Sequence, residues 1–131
     1  MKSLALCAIA LLCACSSAER VEPSTSMQGA IREDVPLACS LNEGDLDERK
    51  ALIAELTRGI AERRDTAHGI AYRFDPAPGL VARLGRLIDL ERDCCQFMTF
   101  AITVDQADGP IWLELNGPKS ARSAIEEYFG R

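Results

Sequence analysis

Apolar positions mark out a regular succession of elements from about residue 35 onward. Between Leu46 and Arg64 the residues Leu46, Leu52, Ile53, Leu56 and Ile60 recur at helical spacing, with Asp45 as a candidate N-cap and Asp47 and Glu48 in the first turn, where carboxylates suit the helix dipole. Gly69 to Phe74 alternates and stops at Asp75-Pro76, which predicts a strand. From Pro78 to Asp93 the residues Leu80, Val81, Leu84, Leu87 and Ile88 form one stripe, the mark of a second amphipathic helix. Phe97 to Asp105 and Ile111 to Asn116 read as strands joined by Gln106-Ala107-Asp108-Gly109-Pro110, a segment rich in turn formers. After Gly117-Pro118, Ser120 to Phe129 predicts a short C-terminal helix. The order α-β-α-β-β-α predicts an α+β two-layer sandwich, with helices on one face of a small, mainly antiparallel sheet. A further short strand over Leu37–Leu41 is compatible with the pattern.

Residues ahead of this region read differently. Met1 to Ala14 carries one charge, Lys2, and an apolar run from Leu4 to Leu12; this predicts a bacterial secretory signal, since a membrane span needs ~20 apolar residues. Leu12-Cys13-Ala14-Cys15 resembles the lipobox of bacterial lipoproteins, which implies lipidation at Cys15 and a membrane anchor. Ser16 after it resembles the sorting pattern of outer-membrane lipoproteins, so the expected place is the cell envelope, outer membrane, facing the periplasm. Cleavage after Ser16-Ser17-Ala18, giving a soluble periplasmic protein, is the alternative. Residues 15–34 carry few apolar side chains and cannot offset their ordering entropy by burial, so they read as a tether. Residues 35–131 are then one small domain.

Loss of the signal changes the charge and the cysteine count. The formal charge of −5 becomes −6 without Lys2, and there is no basic run with interleaved aromatics, which argues against nucleic acid. Of six cysteines, Cys15, Cys39, Cys94 and Cys95 remain, and Cys15 is committed if the lipobox is used. Three thiols in an oxidising compartment mean one disulfide with one thiol left over, an intermolecular pair, or a site using three thiolates.

Those thiols are the main chemistry of the chain. Leu84, Leu87 and Ile88 repeat seven residues later as Glu91, Cys94 and Cys95, so the acid and both thiols continue the buried stripe of the second helix. Thiolates are natural ligands for soft ions, and Glu91 would serve as an oxygen ligand, a proton acceptor or a partner for Arg92. A helix C-terminus carries partial negative charge and disfavours a thiolate, which counts against an activated catalytic cysteine. A disulfide from Cys39 to one of the pair, or plain burial of the cysteines as core, are the competing readings. His68 precedes a strand and reads as a turn residue. No Ser-His-Asp order, phosphate loop, dinucleotide fingerprint or paired catalytic carboxylates appear.

Three segments carry a resemblance: Ala38-Cys39-Ser40-Leu41, Glu91-Arg92-Asp93-Cys94-Cys95-Gln96-Phe97, and Gly109 to Leu115 with Gly117-Pro118. Together they resemble a group of small bacterial proteins with Cys-Thr-Leu and Glu-Arg-x-Cys-Cys-Pro-Phe segments and a strand ending in Gly-Pro. Gln96 stands where that group has proline. The resemblance implies that Cys39, Glu91, Cys94 and Cys95 belong to one site. Three functional classes follow: a lipid-anchored envelope protein binding a soft metal or metalloid, a structural or interaction domain with a disulfide, and a thiol enzyme.

Overall fold

The structure, a computed structural model, describes residues 30–38 and 41–130. The predicted signal, Cys15, most of the predicted tether and Cys39 lie outside the described residues. The elements are α1 (Glu43–Thr57), β1 (Ile60–Asp65), β2 (Gly69–Phe74), α2 (Leu80–Cys94), β3 (Thr99–Val104), β4 (Ile111–Asn116), a 3-10 turn (Lys119–Ala121) and α3 (Arg122–Glu126). The four strands form one antiparallel sheet in the order β1-β2-β4-β3. The α+β class expected from the periodicity is the architecture observed.

The sheet buries one face. Ile70, Tyr72 and Phe74 of β2 and Ile111, Leu113 and Leu115 of β4 are buried together with Leu80, Leu84 and Leu87 of α2 and Ile125 and Phe129 near the C-terminus. Leu80, Leu84 and Leu87 of the predicted stripe cover the sheet, Leu84 at 0 % exposure, and Ile88 is half-buried beside them; Val81, which the pattern also placed on the stripe, is exposed at 45 % because it turns to the helix flank. The opposite face is polar: Glu62 bridges Arg64 and Arg73, and the Arg64 guanidinium lies 4.4 Å over the Trp112 ring. Trp112 is thus a half-exposed residue of the open face. Gly69 sits where β2 approaches β4 most closely; a Cβ there would fall 1.8 Å from the Leu115 carbonyl oxygen, so only glycine fits this register.

Several boundaries differ from the pattern. The predicted first helix ran to Arg64, but α1 stops at Thr57 and residues 60–65 form an edge strand. Gly59 ends the helix, with its N–H bonded to the Leu56 carbonyl at 2.9 Å. Helix-compatible Glu and Arg residues in β1 are held extended by pairing with β2 and by the ion pairs and ring contact of the open face. The N-cap is Asn42, three residues earlier than Asp45; its side chain accepts from the Asp45 N–H at 2.9 Å. Leu37, Ala38 and Leu41 are not in a strand, while residues 39 and 40 lie outside the described residues. The C-terminal helix is shorter than Ser120–Phe129, being a 3-10 turn followed by five helical residues.

Helices α1 and α2 run antiparallel. Three ion pairs fix their register: Arg49 with Glu91, Glu48 with Arg86 and Glu55 with Arg83. The start of α1 therefore lies beside the end of α2.

Candidate functional site

The end of α2 gathers an acid, a guanidinium, a phenol and two cysteines. Continuation of the apolar stripe buries Glu91 completely, at 0 % exposure, and Cys94 to 7 %, while Cys95 is half-buried just beyond the last helical turn. The Cys95 N–H donates to the Glu91 carbonyl at 2.5 Å, and the Met98 N–H to the Cys95 carbonyl at 2.9 Å. These bonds turn the chain from α2 into β3 with both cysteines at the corner.

A carboxylate without water must be fully partnered. Arg49 supplies the partner by a forked approach, Nε to Oε1 and Nη2 to Oε2, the second at 3.4 Å. The Tyr128 hydroxyl donates to Oε1 as well. The Arg49 guanidinium in turn lies 5.5 Å from the Tyr128 ring centroid, so the three groups brace one another. Arg92, considered from sequence as the partner of Glu91, is exposed and does not take that role. Arg49 and Tyr128 were not singled out in the sequence, because neither belongs to a motif and both reach Glu91 only through the packing of α1 and the C-terminal segment on α2.

The electrostatics of the corner oppose an ionised thiol. Burial pushes the Cys95 thiol up to about 12, and the Glu91 carboxylate adds to this by hydrogen bonding and charge, against a smaller opposing effect of Arg49. Burial and then Glu91 also raise Tyr128 well above the ordinary phenol range, so its hydroxyl stays protonated as a donor. For Arg49, burial works against the charge, but the hydrogen bond and charge of Glu91 outweigh it and the guanidinium stays firmly protonated. Cys95 in this state is a protonated, poorly nucleophilic thiol.

Cys94 is disulfide-bonded and Cys95 is free. The partner of Cys94 lies outside the described residues. Of the four residues expected to share a metal site, Glu91 and Cys94 lie on the last turn of α2 and Cys95 just after it, with both Glu91 oxygens engaged by Arg49 and one of them also by Tyr128. Among the described residues no three His, Cys, Asp or Glu side chains converge as a metal-holding group; the three-sulfur arrangement depends on Cys39, which is not among them. His68 is exposed in the β1–β2 turn, with its carbonyl accepting from the Gly117 N–H at 3.1 Å.

Comparison with protein-family models, curated proteins and solved structures returns no match for this chain.

One prediction concerns Cys95 alone. Its alkylation by iodoacetamide in the folded, non-reduced protein should accelerate about tenfold per pH unit from pH 7 to beyond pH 10, since the thiolate fraction keeps rising until pH meets the pKa. A rate that levels off near pH 8.5, as for an ordinary thiol, would show that burial and Glu91 do not control this group.

Proposed function

We propose that the protein is an envelope domain, anchored through lipid on Cys15, whose cysteine corner is a redox-gated site for soft, thiophilic ions. The observation behind this reading is the junction of a disulfide-bonded Cys94 and a free Cys95 against a wholly buried, braced carboxylate. With Cys15 committed to lipid, Cys39 is the thiol left to pair with Cys94. The antiparallel α1 and α2 are compatible with that pairing, because Arg49 in the first half of α1 meets Glu91 near the end of α2.

In the oxidised state the site is closed: one sulfur pair is joined and the remaining thiol is protonated. Two electrons and two protons from a dithiol reductant open the disulfide and give three thiols, the reductant leaving as its own disulfide. Three sulfurs suit Hg(II) or a trivalent metalloid better than a hard ion. Glu91 is not needed as a ligand. Its task in this reading is to hold the end of α2 and, with Arg49 and Tyr128, the position of Cys95.

Binding of Hg(II) by three thiols releases three protons, so affinity rises with pH. The raised pKa of Cys95 fixes the sign, since the ion competes with a tightly held proton over the whole range from pH 6 to 8. The test is thiol counting followed by titration. The denatured, non-reduced mature protein should show one thiol and the reduced protein three. Hg(II) should then saturate the reduced domain tightly, more so at pH 8 than at pH 6, with Cys39→Ser, Cys94→Ser and Cys95→Ser each weakening the uptake.

A second reading is favoured by the engagement of both Glu91 oxygens. In it the corner is purely a structural clasp, and the domain presents its surface to a partner. Reduced protein that gives three thiols but no saturable Hg(II) uptake would decide for the clasp. Anchoring is tested apart from this: wild-type protein in the soluble periplasmic fraction would show cleavage after Ala18 in place of lipidation at Cys15.

A further inference from the structure

The two edges of the sheet are built differently. Strand β1 carries Glu62, Arg63, Arg64 and Asp65 and a register shift between Ile60 and Glu62, the usual guards against pairing with another chain. Strand β3, Thr99-Phe100-Ala101-Ile102-Thr103-Val104, has no charge, no proline and an unbroken register against β4. Among the described residues no strand pairs with its outer edge, so a row of backbone N–H and C=O groups faces outward there.

The layer over β3 is incomplete as well. Its inward residues are Phe100, Ile102 and Val104, opposite the buried Leu115, Leu113 and Ile111 of β4. Phe100 and Ile102 are only half-buried, and Val104 is 56 % exposed. Helix α2 lies against β3. Its Arg83 and Arg86 turn to α1 through Glu55 and Glu48, which leaves Val81, Gly85 and Ile88 on the opposite flank. Because α1 runs directly into β1 at the far edge, that flank is on the β3 side. A Cβ at Gly85 would meet nothing within 4 Å, so packing inside this chain does not require the glycine, although in a helix interior it costs stability relative to alanine. The open space at Gly85 admits a second helix at close range.

We propose that β3 is the pairing edge of a symmetric dimer, in which a second copy of this chain adds its own β3 antiparallel and the two sheets become one. A two-fold axis at Ile102 sets that residue against its own copy, Phe100 against the partner's Val104 and Ala101 against the partner's Thr103. Every inward side chain then stays on the inward face, as a sheet with one buried side demands. Aromatic with β-branched is a favourable cross-strand pair, and Val104 gains the cover that the single chain does not give it. The strand thus complements itself, which a two-fold interface requires and which singles out a second copy over an unrelated strand. Strands spaced about 4.8 Å apart bring the two α2 flanks to roughly 10 Å from each other where each helix lies over β3 and β4, the range of packed helices, and Gly85 leaves room for the approach. The pairing uses neither Cys94 nor Cys95 and is independent of the ion site.

The test uses the non-reduced mature chain with Cys15→Ser, which carries no lipid. Sedimentation equilibrium should show a reversible monomer–dimer equilibrium, and a non-reducing denaturing gel the mass of one chain. Amide hydrogen exchange followed by NMR should show consecutive β3 amides protected, where a bare edge protects only alternate ones, while the outer edge of β1 exchanges freely. Val104→Lys places a charge opposite the partner's Phe100 at a position that is exposed in the single chain, so it should fold normally, raise the dimer dissociation constant tenfold or more and return β3 to the alternate pattern. Gly85→Arg, which has open space in the single chain, should also weaken the dimer, whereas Leu37→Lys, at an equally exposed apolar residue ahead of α1, should not. A monomer at every concentration, a dimer that survives Val104→Lys, a dimer linked by a disulfide on the gel, or protection gathered on β1 would each overturn the proposal. Consecutive protection of β3 in a monomer would do so too, since a segment of the same chain would then cover the edge.

Discussion

Arg49→Met should destabilise the folded domain by about 3–5 kcal/mol, the cost of leaving a buried charge without its partner. Glu91 has no exposure, and among the groups that hydrogen-bond it only Arg49 carries a compensating charge. The Tyr128 hydroxyl would remain, but one neutral donor cannot replace a forked guanidinium. Methionine keeps the aliphatic stem, so the loss reports the ion pair and not the packing of α1. Replacing the acid as well tests the cause: Arg49→Met/Glu91→Leu should recover most of the loss, because an apolar pair at this position removes the desolvation penalty together with the attraction. Urea unfolding monitored by far-UV circular dichroism reads both. A single-mutant loss below about 1 kcal/mol would mean that the carboxylate reaches water, and the braced corner would have to be given up.

The parts of this molecule that are legible in its sequence are those set by local periodicity. The stripe of α2 and its continuation through Glu91 and Cys94 follow from seven-residue spacing, because one helix alone decides which side chains share a face. The alternation in residues 69–74 and 111–116 likewise gives β2 and β4, the central strands, whose inward faces bury at every second residue. Residues 60–65 fail the same test. Their sequence, Ile-Ala-Glu-Arg-Arg-Asp, has a helix former's composition, and what makes it a strand is the backbone of β2 beside it and the Trp112 ring across the sheet. Arg49 and Tyr128 escape for the same reason. Each is one of many charged or aromatic residues until tertiary packing brings it 42 or 37 positions along the chain to Glu91. Chemistry carried on one element can be read from sequence; chemistry assembled from three elements cannot.

Opening the Cys94 disulfide should also cost several kcal/mol, and the partner sets how many. A bridge from Cys39 encloses α1, β1, β2 and α2, a loop of about 55 residues, for which the chain-entropy relation gives about 4 kcal/mol within the usual 2–5 kcal/mol range. Stability of the mature protein should fall by that amount on reduction, and Cys94→Ser should reproduce it without further loss when reductant is added. Cys39→Ser should match Cys94→Ser, since either removes the same constraint from the unfolded chain. Cys95→Ser, at a half-buried position outside the bridge, should cost less than about 1.5 kcal/mol. Peptide mapping of the non-reduced protein would show directly whether a Cys39–Cys94 linked pair is present. If Cys39→Ser leaves the midpoint unchanged while Cys94→Ser lowers it, then another cysteine of the chain is the partner, and a three-sulfur site built on Cys39 loses its geometric basis.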